Sequence, residues 1–235
     1  MAPKRILLKI SGEVLGGEEG VGADGAALEL LAKQIKAIRK DGIEVAIVLG
    51  GGNFWRYRDN SDLSIPRTAS DALGMMAATM NARLFTEVLK AIDVDARCMA
   101  AHGNFYFAEP YSPDFARNCM DQGAVVVCGG GTGNPYFTTD TTGALRALEL
   151  NCEVMMKATK VDGIYDCDPV ANPHAKFFDK ISYDEVLERE LSVMDLSAVV
   201  LCKENQLPVR VFNINAENAI LRAASGESIG SLITP

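Results

Sequence analysis

Short apolar runs alternate with longer amphipathic stretches from one end of the chain to the other. Residues 5–10 read as a strand. Asp24 can cap a helix whose apolar stripe is Leu28, Leu31, Ile35 and Ile38, a spacing that keeps one helix face in the core, and Gly42 can stop it. Residues 44–49 form the next strand, and an Ala-, Met- and Leu-rich helix is predicted over about 70–91. Residues 94–99 are a strand. Ser112-Pro113 marks a helix start, with proline at the first helical position.

Further along, 124–128 is a buried strand, 141–150 a helix and 153–157 another strand. Ser182 and Glu185 have the spacing of a capping box, and a further helix follows Asp195. The chain closes with a strand over 209–213, a helix near 217–224 and a short strand around 231–234. Strands that alternate with helices imply a mostly parallel sheet covered on both faces, an α/β fold. No internal repeat, low-complexity tract or long linker interrupts the pattern, so residues 1–235 are expected to form one domain. Residues 56–68 are the longest irregular stretch of the first half, and loops of that length are often functional.

Ligands of open α/β sheets gather at the carboxyl ends of the strands. The first strand ends in Lys9-Ile10-Ser11-Gly12, the second in Gly50-Gly51-Gly52-Asn53. The strand at 124–128 runs into Gly129-Gly130-Gly131-Thr132-Gly133-Asn134-Pro135, and that at 153–157 into Lys157-Ala158-Thr159-Lys160. Glycine lets backbone N–H groups close on a phosphate, and a following helix N-terminus adds partial positive charge. Any one such turn is weak evidence; several at one sheet edge point to a phosphate site. No Gly-Lys pair occurs, so there is no P-loop, and no G-x-G-x-x-G follows a strand. Lys9 can snorkel at a sheet edge, Arg56 can be solvated, and Asp71 and Asp140 can serve as helix-terminal charges. Their joint placement favours a site.

Composition narrows the field. The chain has 235 residues and a formal net charge of −8, which argues against general nucleic-acid binding but not against a small anion in a local basic pocket. No apolar run approaches the ~20 residues of a membrane-spanning helix, and the N-terminus lacks a signal-peptide pattern. The six cysteines form no C-x-x-C pair and are expected as reduced core thiols of a cytoplasmic protein. His102 and His174 are isolated, so no protein metal site is expected.

These loops resemble bacterial uridylate kinases, of the amino-acid-kinase fold. The matching pieces are Lys9-Ile10-Ser11-Gly12-Glu13, Gly50-Gly51-Gly52-Asn53 with Arg56, and Asp71-x-x-Gly74-Met75 running to Thr79-Met80-Asn81. They continue with the segment Gly131-Thr132-Gly133-Asn134-Pro135-Tyr136-Phe137-Thr138-Thr139-Asp140, the most specific of all. Ala158-Thr159-Lys160-Val161-Asp162-Gly163-Ile164-Tyr165, Asp168-Pro169, Val193-Met194-Asp195 and Gly226-Glu227-Ser228-Ile229-Gly230 complete the series across nearly the whole chain.

The resemblance implies a three-layer α/β/α sandwich around about eight strands, a homohexamer, and transfer of the ATP γ-phosphate to UMP. It places UMP on Gly51, Asp71, Thr132, Gly133, Asn134, Pro135, Tyr136, Phe137, Thr138 and Thr139, with the aspartate on the ribose. It places ATP on Lys9, Ile10, Ser11, Gly12, Gly52, Arg56, Thr159, Tyr165 and Asp168, with Mg²⁺ carried on the phosphates. Lys9, Asp140 and Arg56 are the implied catalytic residues, Asp140 organising the lysine. A glycine-rich segment, Gly17, Glu18, Glu19, Gly20, Val21 and Gly22, matches one linked to a GTP effector. The chain departs from the family where Tyr57 follows Arg56, and over residues 56–67 and 102–109. The alternatives are another small-molecule kinase of this fold, acting on acetylglutamate, aspartate or carbamate, or a non-catalytic nucleotide-binding protein. The second of these should lack Lys9 or Asp140, and both are present.

Overall fold

The structure, a computed structural model, describes residues 2–57, 63–102, 106–169, 171–172 and 174–235. In chain order the elements are β1 (Arg5–Ile10), α1 (Gly12–Leu15), α2 (Gly25–Lys40), β2 (Glu44–Leu49), α3 (Arg67–Ala91), β3 (Ala96–Ala100), β4 (Glu109–Pro110), α4 (Pro113–Asp121) and β5 (Val125–Gly129). There follow α5 (Thr139–Glu149), β6 (Val154–Thr159), β7 (Ile164–Tyr165), β8 (Phe177–Phe178), β9 (Lys180–Ser182), α6 (Tyr183–Glu188), α7 (Leu196–Glu204), β10 (Val209–Asn213), α8 (Ala219–Ala224) and β11 (Ser231–Thr234).

Among the described residues the central sheet has nine strands, in the order β4-β3-β5-β2-β1-β6-β10-β11-β9. Two-residue β4 and three-residue β9 form its two edges, outside seven longer strands. Every pairing is parallel except β10 with β11. A separate two-stranded ribbon joins β7 and β8.

The layers follow from the two-residue period of the strands. On one face Ile6, Leu8 and Ile10 pack with Leu31, Ile35 and Ile38 of α2, Phe85 of α3 and Ile220 of α8. On the other, Leu7 packs with Ala144 and Ala147 of α5, Met120 of α4 and Cys202 of α7. Each fully buried large aliphatic side chain contributes about 1.5–3 kcal/mol, so these two clusters, rather than surface ion pairs, hold the layers together. Lys9 has the parity of Leu7, so its side chain projects toward α5. It is 7% exposed.

Local signals set most boundaries. The Asp24 carboxylate accepts from Ala27 N at 2.7 Å and starts α2. Ser182 and Glu185 form the reciprocal capping box of α6. Ser112 has the extended backbone of an N-cap, with Pro113 next, but its side chain makes no capping bond. Helix α3 starts at Arg67, earlier than the expected 70, because Pro66 sits immediately before its first turn. Helix α5 starts two residues early because the Thr138 side chain accepts from Asp140 N. Five of the six cysteines are buried and all are free; Cys167 is exposed, unlike the core thiol expected there.

Candidate active site

The carboxyl ends of β1, β2, β5 and β6 are neighbours in the sheet, and the loops leaving them converge. At the first, Gly12 is wedged against the second: a Cβ there would meet Asn53 Oδ1 at 2.5 Å, Gly50 O at 2.7 Å and Gly52 N at 2.7 Å. Only glycine lets the two turns touch. Beneath them Asn81 of α3, fully buried, donates from Nδ2 to Gly50 O and to Asn53 Oδ1, both at 2.7 Å. Held from below, the Gly50–Gly52 run is left to present its upper side to a ligand.

Lys9 and Lys157 are register partners on β1 and β6, so both side chains leave the same face of the sheet. Asp140, in the first turn of α5, lies over that face. Its Oδ1 is 2.8 Å from Lys9 Nζ and its Oδ2 accepts from Lys157 Nζ at 2.6 Å. Lys157 Nζ also donates to Val193 O at 2.6 Å. Burial would raise the Asp140 carboxyl, but the two ammonium groups outweigh it and hold it below the ordinary carboxylate range. Burial pushes Lys157 down, with Asp140 opposing. The three groups together carry one net positive charge in a half-enclosed place.

On the β5 side, Asp71 in the second turn of α3 faces the loop before α5. Its Oδ2 accepts from Tyr136 N at 2.7 Å, and Arg67 Nε donates to both of its oxygens at 2.8 and 2.9 Å. The Arg67 guanidinium lies 5.0 Å from the Tyr57 ring centre and 5.6 Å from that of Tyr136. Tyr136 has φ +71°, rare for a bulky residue and a mark of functional loops. His102 Nε2 is 2.7 Å from Gly133 O. Arg146, buried under the same loop, donates to Gly131 O at 3.3 Å.

On the β6 side, Thr159, Tyr165 and Asp168 line a cavity of about 610 Å³ with Lys157, Cys167 and Val193. Asp195, the N-cap of α7, joins this wall to the start of α5 and the loop before it. Its carboxylate accepts from Thr141 Oγ1 at 2.7 Å, from Ala198 N at 3.0 Å, and from Thr138 Oγ1.

A site that lays one fixed cation pair between a glycine-lined crevice and an open cavity suits transfer of a charged group between two anions. The model of the amino acid kinase family matches residues 4–213. The chain belongs to that family. It is 44% identical over 232 residues to the uridylate kinase of Vibrio campbellii, covering 99% of this chain and 96% of that one. Among solved structures it resembles the UMP kinase of Bacillus anthracis, with a TM-score of 0.96 and 34% identity over 100% of this chain and 97% of that one. The UMP kinase of Ureaplasma parvum gives 0.94 and 34%, with both chains fully covered.

In this member of the family, the expected residues fall into two neighbouring groups with a third set between them. Gly51, Asp71 and the loop from Thr132 to Thr139 lie on the β5 side, and Thr159, Tyr165 and Asp168 on the β6 side. Lys9, Ile10, Ser11, Gly12, Gly52 and Arg56 lie between. Arg56 Nε donates to Gly52 O at 2.8 Å. Phe137 is half exposed. The segment Gly17–Gly22 is tied to the crevice: Gly22 N donates to Asn53 O at 3.0 Å, and Asn53 Nδ2 donates to Gly22 O. Of the departures from the family pattern, residues 58–62 and 103–105 lie outside the described residues.

Three residues of the site were missed from sequence. In the sequence Lys157 is only a strand end, Asp195 a helix start within a family-like segment but with no site role, and Arg67 only part of a loop. The signal for Lys157 was its matching position to Lys9, each a lysine near the carboxyl end of an apolar strand.

Proposed function

We propose that this chain is a uridylate kinase, moving the γ-phosphoryl group of ATP reversibly onto the phosphate of UMP to give UDP and ADP, on the way to CTP. The observation that carries the reading is the Lys9–Asp140–Lys157 triad. It stands between the acceptor-side loop and the cavity beyond β6.

The acceptor is a phosphate monoester with a second pKa near 6, so at neutral pH it is already mostly dianionic. It needs no base. The task is to bring two anions into line and to neutralise charge as it shifts between them. Lys9 and Lys157 supply that charge from fixed positions, because Asp140 grips both ammonium groups. With each Asp140 oxygen engaged by a lysine, Asp140 is an orienting group and not a proton acceptor. Gly12 packs against Gly50 and Gly52 at the rim of the same crevice, where their backbone would meet the phosphates, and Arg56 adds charge at its edge. Asp71 and Tyr136 N–H frame the place proposed for the ribose, and residues 132–139 that for the uracil.

Mg²⁺ enters with ATP as part of the substrate. Among the described residues no group of three or more His, Cys, Asp or Glu converges, and Asp140 is occupied by lysines. That donor set fits an ion held chiefly by phosphates and water, where it neutralises phosphate charge.

A homohexamer is part of the same reading. Met75, Met76, Met80 and Leu84 of α3, with Phe107 and Ala108, line an apolar hollow of about 670 Å³, and Met76 is 69% exposed. A surface of that kind favours self-association. The free thiols fit a cytoplasmic location, and among the described residues no helix is long and apolar enough to cross a membrane.

The test is a coupled assay for diphosphate formation from ATP–Mg²⁺ with UMP, CMP, AMP or acetylglutamate. Turnover with UMP above the others is expected; equal or greater turnover of acetylglutamate would overturn the reading. The same assay with GTP added tests residues 17–22 as an effector contact.

A further inference from the structure

Glu13 has no part in the transfer above, yet it stands where the donor and acceptor loops meet. It follows Gly12, whose wedged position against Gly50 and Gly52 fixes where the next side chain can go. The Glu13 carboxylate pairs through Oε1 with the guanidinium of Arg56, and its Oε2 lies 3.4 Å from Lys160 Nζ. Arg56 comes from the loop after β2 and leans on Gly52. Lys160 comes from the loop after β6, next to Thr159. One carboxylate therefore ties together two cations from loops on opposite sides of the phosphate crevice.

All three side chains keep some contact with water: Glu13 is 33% exposed, Arg56 25% and Lys160 55%. Ion pairs of this kind are weak and exchange readily. A polyphosphate brings several negative charges and many acceptor oxygens to the same place, where Glu13 brings one charge.

We propose that Glu13 is the resident counter-anion of the phosphate crevice, holding Arg56 and Lys160 in place until the phosphates of the nucleotide displace it. The proposal rests on the kinase reading. In the empty site Glu13 keeps two like charges from repelling one another. In the filled site its charge opposes the incoming anion. It is a positioning residue that lowers nucleotide affinity in return for an ordered crevice.

The test compares wild type with Glu13→Gln, which keeps the shape and removes the charge. The dissociation constant of ATP is measured by titration calorimetry at low and at high salt, with adenosine as the probe lacking phosphate. Glu13→Gln is expected to bind ATP about three- to tenfold more tightly at low salt, with the gain fading at high salt as screening takes over. Adenosine should bind both proteins equally, and Glu13→Asp should stay near wild type. Lys160→Gln should move the other way and weaken ATP binding, again most at low salt. Equal or weaker ATP binding by Glu13→Gln overturns the proposal, and so does a gain that persists at high salt or extends to adenosine. Wild type that binds no ATP at all overturns the kinase reading itself, before the variants are compared.

Discussion

Lys9 and Lys157 face each other across the β1–β6 ladder, and the single carboxylate of Asp140 holds both of their ammonium groups, at 2.8 and 2.6 Å. Two lysines that close would repel without it. With it they form a fixed cation pair, which would not have to reorganise during the proposed phosphoryl transfer.

Removing either lysine should therefore cost turnover more than binding. Lys9→Ala and Lys157→Ala are each expected to lower kcat by about 10²–10³-fold, the scale on which an oriented charge acts in a transition state. Asp140→Asn should do similar damage by another route, since it leaves two largely buried ammonium groups without a counter-charge. Breaking such a buried pair costs about 3–5 kcal/mol, so this variant should also melt earlier. Steady-state kinetics with a thermal melt separates the two routes: the lysine variants lose kcat with a smaller change in melting temperature.

The same triad sets the pH response. Asp140 has a lowered pKa in the folded state, so its contribution to stability is present above the unfolded carboxylate range. It is lost as pH falls through the folded value. Lys157 has the opposite sign. Its folded pKa lies below the ordinary 10.5, so its buried charge is a cost below that value and is relieved as pH rises toward 10.5. On the proposed mechanism, activity needs the charge. The profile of kcat/KM, which reports the free enzyme, should fall on the alkaline side at a pH below the ordinary lysine range. Lys157→Arg, which stays charged, should shift that limb upward if it retains activity. A wild-type kcat/KM that stays flat through the ordinary lysine range would remove Lys157 from the charged machinery.

Much of this arrangement was legible in the chain, and the rest had physical reasons to be hidden. The strand β1 and the β2 strand could be read to the residue, because continuous apolar runs bounded by glycine define a buried parallel strand. Lys9 and Asp140 stood beside loops whose composition already pointed to phosphate. Lys157 was hidden because its role depends on register between strands far apart in sequence. The contact of Asp195 with Thr138 is likewise tertiary. Arg67 is a different case: its pairing with Asp71 is an ordinary i,i+4 contact, missed because the helix start was placed at 70. The short strands β4, β7, β8 and β9 have two or three residues each, too few to show a period.

Asp71 and Arg67 should behave unequally despite touching. Asp71 has its carboxylate on the acceptor-side loop, where a charged group hydrogen-bonded to a ligand contributes about 1.5–3 kcal/mol. Asp71→Asn should raise the KM for UMP about 10- to 100-fold while kcat changes less. Arg67 is 41% exposed and meets Asp71 as a helix pair, a contact that contributes about 0.3–0.5 kcal/mol. Arg67→Ala should therefore shift the KM by less than about threefold. Equal effects would mean that Arg67, clamped between Tyr57 and Tyr136, holds the acceptor directly.

Asp195 joins two helix starts, so its loss should register in both stability and rate. Asp195→Ala removes the N-cap of α7, a change that costs about 0.5–2 kcal/mol. It also frees Thr138 and Thr141 at the start of α5, the turn that carries Asp140. A fall in melting temperature with kcat also reduced is expected. A fall in melting temperature with unchanged kcat would confine Asp195 to capping.

The crevice itself can be tested at Gly51. A Cβ there would meet Gly74 O at 2.6 Å, Ala77 Cβ at 2.8 Å and Ala78 N at 2.8 Å. Two of these neighbours are backbone and the third is a methyl group, so no rotamer can relieve the contact. Gly51→Ala must push the loop away from α3, at about 1–3 kcal/mol for overpacking. A displacement near 1 Å in the N–H groups of Gly51 and Gly52 is enough to cost about 10²-fold in turnover. Gly25→Ala is the control: it lies at the start of α2 with nothing within 4 Å of the added Cβ, and should leave activity unchanged. Purified Gly51→Ala that folds yet keeps wild-type kcat would show that the backbone of this loop does not set the position of the phosphates.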